Sequence, residues 1–343
     1  MKICVCGHFG FGLELLNGQT IKTKVISEEL EKKYNQSSVL KIDTHGLKNI
    51  LILPLKLLIA MFTCKNMIIL PAQRALSLET IYLCILNVFF RRNIHYIVIG
   101  GWIINYIEKH SIVAYLLKSY KGIYVELQHM KEQLVILGYH NVYILPNCKK
   151  NSILDVDKIE ENQNEKFKLV IFSRIMKEKG ISYAIEAIKK ANRELNDHIF
   201  QLDLYGEVDS KQHEWFEREK QNFSNDVHYR GKLPYDKCVD VLCKYHMLLF
   251  PTYYEGEGLP GTIIDAYASG LPVIASDWKY NASVVINGKT GCLFKPHDVD
   301  DLKDKMIQCY KNPTVRIKMR YNCIQQAKLY MPEIALKPLF ENL

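Results

Sequence analysis

The run EGEGLPGTIIDAYASGLPVIAS, residues 255–276, concentrates residue types that handle anions. Gly256, Gly258 and Gly261 make a side-chain-poor loop, Pro260 suits a first helical turn, and Gly270 before Pro272 suits a helix stop. The spacing predicts a short helix over 260–269. A glycine loop that runs into a helix N-terminus presents unpaired N–H groups at the positive end of the helix dipole, where a phosphate binds. Leu259 and Thr262 complete that loop, so the backbone of 258–262 is the candidate donor set. Glu257 in the loop and Asp265 in the second helical turn bracket it. A carboxylate beside a diphosphate is repelled, so these acids suit neutral hydroxyls, one on a ribose and one on a sugar ring. Position alone fits a capped helix with solvated acids equally well.

Upstream, FSRIMKEKG (172–180) follows an apolar run and leads into a helical pattern. It carries Arg174 and Lys179 with R-x4-K spacing, so both cations can converge on one diphosphate, Arg as a bidentate fork and Lys as a point charge. LYGE (204–207) and YRGKL (229–233) end two further strand-like runs and offer Gly206, Gly231 and Leu233 as nucleotide contacts. Near the start, GHFGFGLELLNGQTIKT (7–23) holds Gly18 among Asn17, Gln19, Thr20 and Lys22, all able to meet a substrate, although Thr20 equally suits a helix cap. No G-x-G-x-x-G is present, and Asp43 lies too far from the first glycine for a dinucleotide fingerprint, which disfavours NAD. His8, His45, His95 and His129 lie near strand ends. His45 and His129 are candidates for sugar hydroxyls, with Gly101 opening space for an acceptor, whereas His95 inside a strand reads as structural.

These loops need a scaffold, and the pattern supplies one. Apolar strand-like runs at 2–7, 38–43, 66–72, 94–101 and 122–127 alternate with helical runs, including apolar ones near 50–62 and 78–90. A polar stretch over 148–166 interrupts the alternation. It then resumes with runs at 168–175, 198–207, 227–231, 246–252, 271–277 and 291–294, and helices finish the chain. Such alternation predicts parallel sheets covered on both faces, in two doubly wound α/β domains, 1–155 and 156–325, with a helix over 326–343. In such folds ligands lie beyond the carboxyl ends of the strands.

The chain has 343 residues, 48% hydrophobic and 24% charged, which excludes disordered, collagenous and disulfide-scaffold classes. Lys and Arg outnumber Asp and Glu 45 to 37, a net +8 that suits an anionic ligand or an acidic lipid surface. No dense basic block or base-stacking motif accompanies it, so nucleic acid is not an expected partner. The ten cysteines form no C-x-x-C pair and read as small buried thiols in a reducing compartment. Residues 50–63 and 78–90 are too short to span a bilayer. They are expected as buried helices of the first domain, although Lys56, Lys65, Arg91 and Arg92 beside them would equip an exposed face to dock on anionic lipid. MKICVCGHFG reads as a first strand and not as a cleavable signal, so the expected location is the cytoplasm, with peripheral contact at the inner face of the cell membrane.

The acidic segment resembles the E-x7-E region of GT-B-fold glycosyltransferases, specifically the retaining enzymes of family 4. Glu257 falls on the first acidic position and Asp265 on the second, where Glu is more usual and reaches one methylene further. Arg174 and Lys179 match the family's R-x4-K motif. The resemblance covers 168 to about 310 well, and the first domain only in architecture and in the 7–23 loop. It implies two Rossmann-like domains facing a cleft, acceptor in the first and nucleotide sugar in the second, with the terminal helix returning to the first. It also implies catalysis by Glu257, Arg174 and Lys179 without a metal or other cofactor, and transfer from a nucleoside-diphosphate sugar, UDP favoured, to a hydroxyl. A lipid-linked glycan of capsule or similar surface polysaccharide is the expected acceptor. Two rival readings are a non-catalytic binding module of the same fold and, less favoured, an NAD-dependent or sugar-nucleotide-modifying enzyme.

Overall fold

The computed structural model describes residues 2–13, 18–159 and 166–343. The chain divides into two compact units, Met1–Lys150 with Tyr330–Leu343, and Asn151–Leu329. Each is built on six parallel strands.

In the first unit these are β1 (Ile3–Gly7), β2 (Val39–Asp43), β3 (Asn66–Ile69), β4 (Asn93–Ile97), β5 (Gly122–Val125) and β6 (Val142–Ile144), in the order β2-β1-β3-β4-β5-β6. In the second they are β7 (Phe167–Phe172), β8 (Phe200–Tyr205), β9 (Val227–Gly231), β10 (Met247–Phe250), β11 (Val273–Ser276) and β12 (Gly291–Phe294), in the order β12-β11-β10-β7-β8-β9. β1, β3, β5, β10 and β11 are buried along their whole length, which is why they read as unbroken apolar runs.

The order reverses between β1 and β3 in one sheet and between β7 and β10 in the other. At such a reversal the following connections leave to opposite faces and open a crevice beyond the strand ends. The loops after β7 and β10 are the two that carry Arg174–Lys179 and Glu257–Thr262, and the loop after β1 carries residues 8–13. The helix Ile181–Glu194 that follows β7 buries Ile181, Ala184, Ile185, Ala187, Ile188 and Ala191 as one stripe against the sheet.

The apolar helices of the first unit depart from the expectation of burial. Leu47–Thr63 buries only Leu53, Leu57, Ala60 and Met61, while Leu47, Leu51 and Leu55 are 80%, 79% and 61% exposed. Leu76–Phe90 buries Leu76, Glu79, Thr80 and Leu83 and leaves Leu78, Val88 and Phe89 outside. Each helix covers the sheet with one stripe, and among the described residues no further layer covers its other side. Among the described residues no helix is long and apolar enough to cross a membrane.

Candidate active site

In the second unit, hydrogen bonds join the loops at the strand ends. Ser173 donates its N–H to the Tyr205 carbonyl (3.1 Å), Ile175 to that of Glu207 (2.8 Å), and Gly206 to that of Gly231 (2.9 Å). Gly206 holds φ at 148°, and a Cβ there would lie 1.7 Å from the Ser173 carbonyl oxygen, so only glycine lets the two loops approach this closely. Arg174 stands at this junction, more than half exposed, its Nη1 3.4 Å from an Asp209 oxygen. Gly231 and Leu233 follow β9. Gly231 has open space where a Cβ would stand, and Leu233 is buried.

The loop after β10 is fastened to the same place. Tyr253 donates its N–H to the Glu178 carbonyl (2.8 Å), and the Glu178 carboxylate accepts from Gln212 (2.9 Å). Thr262, in the first turn of the helix Gly261–Ala268, donates its hydroxyl to the Phe172 carbonyl at 2.7 Å. That bond sets the helix N-terminus beside the end of β7, next to Arg174. Pro260 is the N-cap, and it offers no side-chain acceptor to the first N–H groups of the helix. Gly258, Leu259 and Pro260 are buried, and Gly261 and Thr262 are half-buried.

Lys179 and Glu257 meet here. The Lys179 ammonium bonds Glu257 Oε1, which also accepts the Thr252 hydroxyl at 2.9 Å. The same ammonium lies 5.0 Å from the Tyr254 ring centre and 5.7 Å from that of Phe250. Glu255 points away and pairs with Lys279 at 2.5 Å. Asp265 is fully buried and accepts from Asn151 Nδ2 at 2.8 Å, while Leu154 N–H bonds the Ala268 carbonyl at 2.8 Å. Asp265 thus holds the segment that enters this unit against the helix, so a ribose contact would have to be shared with Asn151.

The residues of the first unit fall into two groups. At the ends of β1 and β2, His8 Nδ1 lies 2.7 Å from the Thr20 hydroxyl, and His8 Nε2 lies 2.9 Å from His45 Nδ1. Burial, and next the neighbouring His45, hold the His8 imidazolium below its ordinary range, since a second proton would set two cations side by side. Asp43 fixes this loop by accepting N–H bonds from Phe9 (2.9 Å), Gly10 (3.1 Å), Phe11 (3.2 Å) and His45 (2.9 Å). Burial alone would raise its pKa, but the four N–H donors outweigh that and lower it. Gly18 begins the helix Gly18–Tyr34 and is exposed, and Gln19 donates to the Leu70 carbonyl at 3.2 Å.

Lys22 belongs to the other group. It is 1% exposed, and its ammonium bonds Glu126 (2.7 Å) and the Val98 carbonyl (3.2 Å), so its charge is used inside the unit rather than presented to an acceptor. Gly101 is half-buried after β4, and His129 is exposed on the helix Gln128–Ile136. Asn17 lies outside the described residues. His95 is buried between Tyr124 and Asn66, with its pKa pushed down to about 4 by burial. Among the described residues no group of three or more His, Cys, Asp or Glu side chains is placed to hold a metal ion.

Sequence reasoning passed over Thr252, Gln212 and Asn151, whose roles arise only from folding, and it weighed Asp43 for a ribose rather than for the loop it pins.

A family model described as glycosyl transferases group 1 matches residues 154–330, just over half of the chain. An uncharacterized glycosyltransferase of Methanocaldococcus jannaschii is 27% identical over 210 residues, covering 57% of this chain and 50% of that protein. The poly(ribitol-phosphate) alpha-N-acetylglucosaminyltransferase of Staphylococcus aureus is 29% identical over 160 residues, covering 45% of this chain and 31% of its own. The chain therefore spans half or less of the length of these curated relatives. The crystal structure of Anabaena HepE in complex with UDP and glucose superposes with a TM-score of 0.73 at 14% identity, covering 99% of this chain and 98% of that one. That likeness shows the fold, two Rossmann-like units of the GT-B type. The matched stretch contains Arg174, Lys179 and Glu257 together with the helix N-terminus beside them, and by it this chain belongs to the glycosyl transferases group 1 family.

Proposed function

We propose that the protein is a retaining glycosyltransferase of the family 4, E-x7-E type. It moves a sugar from a nucleoside diphosphate, UDP favoured, to a hydroxyl on a lipid-linked glycan during surface-polysaccharide synthesis, on the cytoplasmic side of the membrane. One observation carries the reading: Lys179 paired with Glu257, and Arg174 beside an uncapped helix N-terminus, all at the β7/β10 reversal.

In the reaction the bond between the anomeric carbon and the diphosphate oxygen breaks while the acceptor oxygen bonds to that carbon. Negative charge grows on the departing diphosphate. Arg174, Lys179 and the 258–262 backbone amides would stabilise it without reorganising, and losing one such donor costs about 10²–10³ in rate. Glu257 would hold Lys179 in place and face the donor sugar, with Gly206, Gly231 and Leu233 lining the nucleotide side and Asp265 at the ribose. Gln19, His45, Gly101 and His129 are the proposed acceptor side. The UDP in the Anabaena structure supports the choice of nucleotide, and the alpha linkage in the staphylococcal relative's name supports retention.

The test is a thermal-shift panel of UDP-, GDP-, ADP- and dTDP-sugars beside NAD. A ligand at 100 times its dissociation constant adds about 2.7 kcal/mol, an easily read shift. One nucleotide class is expected to stabilise the wild type and to lose its effect in Arg174→Ala. Stabilisation by NAD alone, or a Glu257→Ala enzyme with unchanged turnover, would overturn the reading.

A further inference from the structure

The helices Leu47–Thr63 and Leu76–Phe90 each carry two apolar stripes, and only one of each is used. On the first, Leu47, Leu51, Leu55, Ile59 and Phe62 recur at spacings of four and three, which puts them on one face, and all are exposed by half or more. On the second, Leu78, Ile81, Ile85, Val88 and Phe89 are also three and four apart, and all but Ile81, which is 37% exposed, are exposed by more than half. The helices lie side by side. The Phe62 and Phe90 rings meet edge-on with centres 4.5 Å apart, and the Tyr82 hydroxyl bonds the Pro54 carbonyl at 2.9 Å. Their free stripes therefore belong to one surface, larger than the scattered apolar residues normal on a soluble protein.

The exposed charges on these two helices and at their ends are of one sign. Residues 47–63 contain no Asp or Glu, and the single acid of Leu76–Phe90, Glu79, is buried. Lys48, Lys65 and Arg91 are exposed at the helix ends, and Lys56 and Arg92 are half-exposed. A second copy of the chain would set this cationic rim against itself, so self-association by this face is opposed. An anionic bilayer matches both parts, acyl chains for the leucines and phenylalanines, and headgroups for the lysines and arginines. Neither helix can cross a bilayer, so they would lie in its surface.

We propose that this paired-helix face docks the protein on an anionic lipid leaflet. The inference deepens the proposed membrane setting of the reaction, but it concerns lipid binding alone and does not depend on the donor.

The experiment is vesicle flotation of the full chain with phosphatidylcholine, and with phosphatidylcholine mixed with phosphatidylglycerol, at low and high salt. The wild type is expected to float with the mixed vesicles and to do so less at high salt. A Leu51→Gln, Leu55→Gln, Phe89→Gln variant is expected to bind at least about tenfold more weakly, with unchanged melting because these side chains are exposed. Lys48→Glu with Lys65→Glu should remove the preference for phosphatidylglycerol. Failure of the wild type to float, or flotation of the triple variant at the wild-type level, overturns the inference. So does a wild-type dimer that the triple variant makes monomeric, because the face then belongs to a second copy. Nucleotide thermal shift on the same samples reports separately on the donor site, so the two readings fail independently.

Discussion

The lysine–glutamate pairs Lys22–Glu126 and Lys179–Glu257 are both largely withdrawn from solvent, and their surroundings give them different capacities. Lys22 and Glu126 have side chains 1% and 3% exposed, and the lysine's other bond goes to a strand-end carbonyl, so the pair acts as an internal clamp between the first helix and the segment after β5. Lys179 and Glu257 retain 14% and 8%, beyond the carboxyl ends of β7 and β10, with aromatic rings beside the ammonium. A ligand phosphate can compete for Lys179 but meets Lys22 only if the fold opens. Glu79 is also buried, and no cation is paired with it among the described ion pairs. Its Oε2 finds no hydrogen-bond partner among the described residues, and burial pushes its carboxyl from the ordinary 4.5 up to about 7. A raised carboxyl pKa means that the folded state resists ionisation. The penalty is absent below the unfolded value of 4.5, grows between 4.5 and about 7, and is complete above that. Glu79→Gln removes the ionisation and is expected to raise stability by about 2–3 kcal/mol at pH 8, with the gain shrinking toward zero by pH 4.5. Urea unfolding of both proteins across that range checks it, and a gain that does not change with pH would show that burial does not raise the Glu79 carboxyl above its unfolded value.

Among the elements, backbone approach decides what the site loops tolerate. Gly206 and Gly231 bond to each other through N–H and carbonyl and both hold positive φ, yet their surroundings differ. An alanine at 206 would drive its Cβ into the Ser173 carbonyl, whereas at 231 it would enter open space at a φ of 76°. Gly231→Ala is therefore expected to cost about 1–2 kcal/mol, the left-handed backbone term alone. Gly206→Ala should cost more than about 3 kcal/mol and displace the Arg174 loop. Equal losses in denaturant titrations would mean that the close approach does not constrain the loop. The inner strands were legible from sequence because parallel strands buried on both faces appear as unbroken apolar runs, and the edge segments VHYRG and GCLF also match β9 and β12 end to end. The R-x4-K and E-x7-D spacings could be read along the chain because the first lies on one loop after β7 and the second on one continuous loop-to-helix segment after β10. The exposed stripes of Leu47–Thr63 and Leu76–Phe90 were not, since a helix that is apolar all round gives no period from which to tell the covered side. Nor were the Lys22–Glu126 and Asn151–Asp265 pairings, which join residues far apart in sequence.

For the whole molecule, the two units close their cores from different stretches of chain. The second draws its apolar core from within 167–319, a continuous stretch. The first assembles residues between Ile3 and Cys148 and then needs Ala335, Leu336 and Leu339 from the end of the chain, the two leucines fully buried. Lys149 N–H meets the Tyr330 carbonyl at 3.3 Å, and the Lys33 ammonium lies 4.3 Å from the Phe340 ring centre, so the returning segment is held along its length. Truncating buried leucines costs about 2–5 kcal/mol each because a cavity adds to the lost transfer term. Leu336→Ala with Leu339→Ala is expected to fall on the first unit only. Hydrogen exchange resolved by segment should show the amides of β1, β3 and β4 losing protection while those of β7, β8 and β10 keep theirs, and the nucleotide-induced thermal shift, read from the second unit, should persist. Equal loss of protection in both sheets would mean that the units unfold as one cooperative body. In that case the continuous stretch 151–329 would not be an independent folding unit, and damage to the terminal segment would abolish donor binding along with everything else.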